Sequence, residues 1–146
     1  MNGVQLKNTV LFALSMVGSL IVNFLGGVDT VLIALMLFMA VDYITGIAVA
    51  FIFHKSKKTA GGGASSKECL KGIVKKMCML LLVGLAHELD VIMGVDYTRT
   101  MAILFLIGNE GLSVLENMGL MGITYPAFLI KALESLKDEN GGDNDE

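Results

Sequence analysis

Tryptophan is absent, proline occurs once, at Pro126, and only 17% of the 146 residues are charged against 54% that are hydrophobic. So large an apolar excess is more than the core of one ordinary domain absorbs, and it points to a bilayer as solvent. Cysteine is nearly missing as well. Cys69 and Cys78 stand nine residues apart with no second pair, which excludes a zinc or thiol-redox motif and leaves both as reduced, incidental thiols. The stretch Thr59 to Ser66, "TAGGGASS", lacks the spaced glycine and Gly-Lys-Ser ending of a phosphate loop, so it is a flexible linker. At His87, "HELD" lacks the second histidine of the metalloprotease pattern, and no histidine is set to activate a serine. No catalytic set, metal or cofactor is expected. A cleavable signal peptide, a strand pattern and an internal repeat are also missing.

The charges that are present are segregated. Seven lysines, Lys55, Lys57, Lys58, Lys67, Lys71, Lys75 and Lys76, fall between His54 and Met77, whereas the last sixteen residues hold two lysines against six acids. Apolar runs flank the lysines, so they read as a membrane-adjacent loop rather than a nucleic-acid site. The acidic end, residues 137–146, reads as a disordered, solvated tail.

Apolar runs long enough to cross a bilayer, about 20 residues, give an all-α integral membrane protein of about four transmembrane helices. They cover roughly residues 8–27, 30–53, 73–94 and 98–120, with a basic cytoplasmic loop at 54–72 and a membrane domain at 1–136. The third is the weakest, because only ten residues between Lys76 and His87 are strictly apolar. It crosses if Lys75 and Lys76 snorkel to the headgroups; otherwise it is re-entrant and three spans remain. Lysines near span ends are retained inside, so the N-terminus is expected in the cytoplasm and, with four spans, the tail as well.

Carboxyls at membrane depth cost about 2.5 to 3.5 kcal/mol each on insertion scales. At 1.5 Å per residue, Asp42 lies about 20 Å beyond Asp29 and Glu110 about 16 Å beyond Arg99, with His87 about 16 Å from Lys76, so all three are expected in one mid-membrane layer. Neither Asp42 nor Glu110 has an evident Lys or Arg partner there. Asn109, Glu110, Ser113, Glu116 and Asn117 fall within an arc of about 120° on one helix face. Such a stripe is either packing glue within a monomer, the reading preferred for Ser15, Ser19 and Thr45, or a hydrated lumen or subunit contact, preferred for Glu110 and Asp42. The candidate polar face comprises Asp42, Thr45, Gly46, His87, Asp90, Asn109, Glu110, Ser113, Glu116 and Asn117.

Four blocks together resemble one family. They are "GGVDTVLIALMLFMAVDYITGIAVAF", with Asp29 and an Asp-Tyr-x-Thr-Gly signature at Asp42 to Gly46; "SSKECLKGIVKKM", with Ser65, Ser66, Gly72, Lys75 and Lys76; Asp90 in "LAHELD"; and "NEGLSVLENMGLMGITYP", from Asn109 to Pro126. In this order they look like the toxin secretion/phage lysis holins, which include clostridial toxin-release holins. The likeness covers about Asp29 to Leu136, and the triple glycine and the acidic tail depart from it.

That resemblance implies a protein that accumulates in the host cytoplasmic membrane, forms homo-oligomers and abruptly permeabilises the bilayer. An endolysin, or in the relatives a toxin, then escapes without any required direct contact. The family also admits an antiholin as partner, which the sequence does not decide. The rival readings are a small ion or solute channel or transporter using its buried carboxyls, and a membrane scaffold that forms no pore.

Overall fold

The computed structural model describes residues 2–56, 61, 63 and 65–138. They form five helices: α1 Gly3–Phe24, α2 Thr30–Phe51, α3 Ser66–Met93, α4 Thr98–Met121 and α5 Ala127–Asp138. No strand occurs among the described residues.

Local chemistry sets the ends. Asp29 precedes α2 in extended conformation and its carboxylate accepts the Leu32 amide at 2.8 Å, satisfying one of the orphan donors of the first turn. Gly94 closes α3 at φ +70, a left-handed position that a side chain would strain. The α1–α2 turn uses Gly26 at φ +77. A Cβ there would lie 2.7 Å from His87 Nδ1 and 2.8 Å from Arg99 Nε, so both backbone angle and space demand glycine.

α4 is the hub, packed against α2, α3 and α5. Asp29 meets Arg99 at one end while Asp42 meets Asn117 further along, so α2 and α4 run parallel. α3 runs against both. Leu32, Leu35 and Met39 of α2, Met79 and Val83 of α3, and Ile103, Leu106 and Ile107 of α4 interlock as the buried core. α1 stands apart, with no buried side chain, and touches the bundle where the Phe24 ring lies against Gly84, leaving no room for a Cβ.

Several expected boundaries move. The first helix starts at Gly3 rather than residue 8, so Lys7 lies within it. The third starts at Ser66 rather than 73, which turns the last seven residues of the expected basic loop into helix. Lys67, Glu68 and Lys71 are good helix formers, and Lys71 pairs with Glu68 one turn away at 2.6 Å. α5 was not expected at all. It folds back along α4, and its Leu133 carbonyl comes within 2.7 Å of where a Cβ on Gly108 would stand. Lys137 belongs to α5 rather than to the acidic tail, and residues 139–146 lie outside the described ones.

Among the described residues, α1 and α2 are long and apolar enough to cross a bilayer by themselves. α3 and α4, at 28 and 24 residues, have the length, but polar and charged residues interrupt them.

Candidate functional site

Each helix of the α2–α3–α4 bundle contributes one charge to a cluster about halfway along α2 and α4. Lys76 of α3 donates through Nζ to Asp42 Oδ2 at 2.8 Å and to Glu110 Oε2. Their side chains are 16%, 13% and 1% exposed respectively. Asn117, two turns beyond Glu110, extends the cluster: its amide donates to Asp42 Oδ1 at 3.2 Å and to Thr45 Oγ1 at 3.1 Å. The Thr45 hydroxyl in turn donates to the Val41 carbonyl at 2.8 Å, the back-bond expected of a threonine inside a helix. Gly46 leaves room for the Asn117 amide, which would lie 3.7 Å from a Cβ there. Among the described residues no buried side-chain nitrogen or oxygen lacks a partner.

The cluster corrects the expectation that Asp42 and Glu110 lack a basic partner. α3 begins about two turns earlier than expected, and Lys76 lies inside the bundle alongside the acids. Its flexible stem carries the ammonium inward instead of snorkelling outward. Pairing with Lys76 offsets part of the penalty of burying two carboxylates.

The same shift overturns the placement of His87 in that layer. Eleven residues beyond Lys76 on α3, about 16 Å away, His87 reaches Gly26 and Arg99 at the turn end of the bundle. Arg99, which the sequence reading used only as a marker of depth, is buried there. Its guanidinium donates to the Leu25 carbonyl at 2.6 Å, the Gly27 carbonyl at 3.1 Å and Asp29 Oδ2 at 2.6 Å. Those bonds hold Asp29 below the usual aspartate range, with the Arg99 hydrogen bond the largest cause, opposed by partial desolvation. Asp90 accepts the amides of Thr98 and Arg99 at 2.9 Å each, capping the first turn of α4. One arginine and two aspartates thus clasp both turns at this end, with the apolar core between the clasp and the Lys76 cluster.

Of the remaining candidates, Ser113 lines a cavity beside the cluster, Asn109 is half-buried and Glu116 is exposed. Lys55, Lys67, Lys71 and Lys75 are exposed, and Lys57 and Lys58 lie outside the described residues. Arg99 was legible in principle: a lone arginine opening an apolar helix needs acceptors, and the neighbouring glycine turn offers free carbonyls.

The bacteriophage holin family model matches residues 19–138, spanning α2 to α5, both charged layers and the end of α1. The chain belongs to the bacteriophage holin family. A probable holin of Bacillus phage phi105 is 34% identical over 101 residues, covering 68% of this chain and 69% of that one. The uncharacterized protein Lin0175 of Listeria innocua is 38% identical over 122 residues, covering 83% and 81%. A 14.9 kDa protein from the nagH 3′ region of Clostridium perfringens is 33% identical over 134 residues, covering 90% and 96%. No solved structure matches. Holin membership makes this a membrane protein, in a family that is not one of enzymes. The family resemblance drawn from the four sequence blocks is borne out.

Proposed function

We propose that this holin-family chain accumulates in a bacterial cytoplasmic membrane, oligomerises and permeabilises it so that an endolysin reaches the cell wall. The observation that carries this reading is a charged seam sealed inside an apolar exterior. Ile33, Leu37, Ile44, Leu81, Leu85 and Met101 are all exposed on the bundle surface, while Lys76, Asp42 and Glu110 turn inward. A chain built this way dissolves in lipid as a monomer and holds its polar groups in reserve.

Four of the five helices cross the bilayer in this reading. α3 and α4 cross because Lys76, Asp42 and Glu110 face one another inside the bundle rather than lipid. α5, at 12 residues or about 18 Å, is too short to cross and lies back along α4. The lysine-bearing ends of α2 and α3 face the cytoplasm and the Arg99 clasp faces outward.

Separating α2 from α4 within an isolated chain leaves a carboxylate unpaired in hydrocarbon, which is unfavourable by several kcal/mol. When copies crowd together, neighbouring chains and the water between them offer the same groups alternative partners, and the seam reopens between subunits. Asp42, Asn109, Glu110, Ser113 and Asn117 then line a hydrated interface. The transition is steep in concentration because each opened seam needs another beside it.

Induced expression with a co-expressed endolysin tests this. The outcome expected is abrupt loss of viability and membrane potential, with endolysin released. A small-ion channel is the second reading, favoured by the polar cavity beside the cluster. It predicts selective, saturable flux in vesicles and survival of the induced cells.

A further inference from the structure

Between the lysine-bearing end of the bundle and the charged cluster lies a cavity of about 90 Å³. A water needs about 10 to 15 Å³ of such space, so the cavity has room for several. Ser65, Glu68 and Cys69, at the start of α3, line its outer part; Tyr43, Lys75 and Ser113 line its walls, and Asp42 and Lys76 form its floor. Polar groups of both signs make such a cavity wet rather than empty. Beyond the floor the character changes abruptly. Leu32 and Leu35, Val83, and Ile103 are 1%, 0%, 0% and 0% exposed and close the space between the cluster and the Arg99 clasp.

We infer that α2, α3 and α4 form a one-sided aqueous vestibule: water enters from the lysine-bearing end, reaches Asp42 and Lys76, and stops at the apolar layer. This rests on the proposed membrane-spanning reading and deepens it, because it assigns the charged seam to one compartment. Water, protons and small ions exchange with the cluster from the cytoplasmic face alone, and seam opening starts from that end.

The two native cysteines report on this directly. Cys69 lines the vestibule, whereas Cys78 is exposed on α3, on a surface that lipid covers in the proposed reading. The probe is a charged, membrane-impermeant methanethiosulfonate, applied to inverted and right-side-out membrane vesicles of the full chain. Cys69 is labelled in inverted vesicles only, and Cys78 in neither. In a Cys69→Ser, Cys78→Ser background, Ser113→Cys is labelled in inverted vesicles only, and Ile103→Cys in neither.

Protection of Ser113→Cys from both faces, whether or not Cys69 is labelled, overturns the vestibule and leaves the membrane reading standing. Labelling of Ser113→Cys from the outer face, or of Ile103→Cys from either face, overturns its one-sidedness. Labelling of Cys78 shows that hydrocarbon does not cover α3, and both readings fall together. Because Cys69 is native, the test stands even where an introduced cysteine disturbs folding.

Discussion

Lys76 is the residue on which the bundle depends most. It bonds to two acids, one on α2 and one on α4, so Lys76→Met strips both of this counter-charge. Breaking a buried pair by removing one partner costs about 3 to 5 kcal/mol, and thermal unfolding in detergent should register a loss of that order. Neutralising the acids too, in Lys76→Met with Asp42→Asn and Glu110→Gln, should recover most of it, since no charge is then stranded. A triple variant that melts no higher than the single one would mean that the ion cluster is not what Lys76 stabilises. Asp29 gives a pH-dependent counterpart. Arg99 depresses its pKa in the folded chain, so the stabilisation is complete above the ordinary aspartate value of about 3.9 and is lost as pH falls through the lower folded value. Asp29→Asn keeps the helix cap but not the charge. Its melting temperature should lie below that of the native chain at pH 7, and the two should converge in strong acid.

Element by element, what the sequence revealed and what it hid have separate physical causes. α2 was legible almost to the residue, because an aspartate cap followed by an unbroken apolar run leaves little else to form. The stripe on α4 was legible by angle: Asn117 does bond Asp42, and Glu110 and Asp42 share one partner, Lys76. Their partner on α3 was not. Whether a lysine at a helix edge turns to headgroups or inward depends on where that helix starts and how it leans, and no periodicity records either. α5 left a trace that went unused: a left-handed Gly122, then Pro126, then Phe128, Leu129, Leu133 and Leu136 among charged residues. Its seat is Gly108, where a Cβ would stand 2.7 Å from the Leu133 carbonyl and 3.0 Å from Lys137 Cγ. Gly108→Val should cost about 1 to 3 kcal/mol through overpacking and loosen α5 from α4. Trypsin should then cut faster after Lys131 and Lys137 in detergent-solubilised protein, whereas an unchanged rate would place the hold on α5 elsewhere.

For the whole molecule, two polar layers separated by an apolar one divide the work. The Arg99 clasp ties the turns together, and the cluster at Lys76 joins α2, α3 and α4; in the proposed function it closes the seam until other copies compete for it. α1, without a buried side chain, is long and apolar enough to add a span without closing the bundle. Permeabilisation on this account draws on Asp42 and Glu110, while insertion draws on the apolar surface. The most direct measurement is the time from induction to lysis, in cells co-expressing an endolysin, for the native chain and for Asp42→Leu with Glu110→Leu at matched amounts in the membrane. The account predicts that the double variant inserts normally and lyses late or never. Identical lysis times for the two would contradict it.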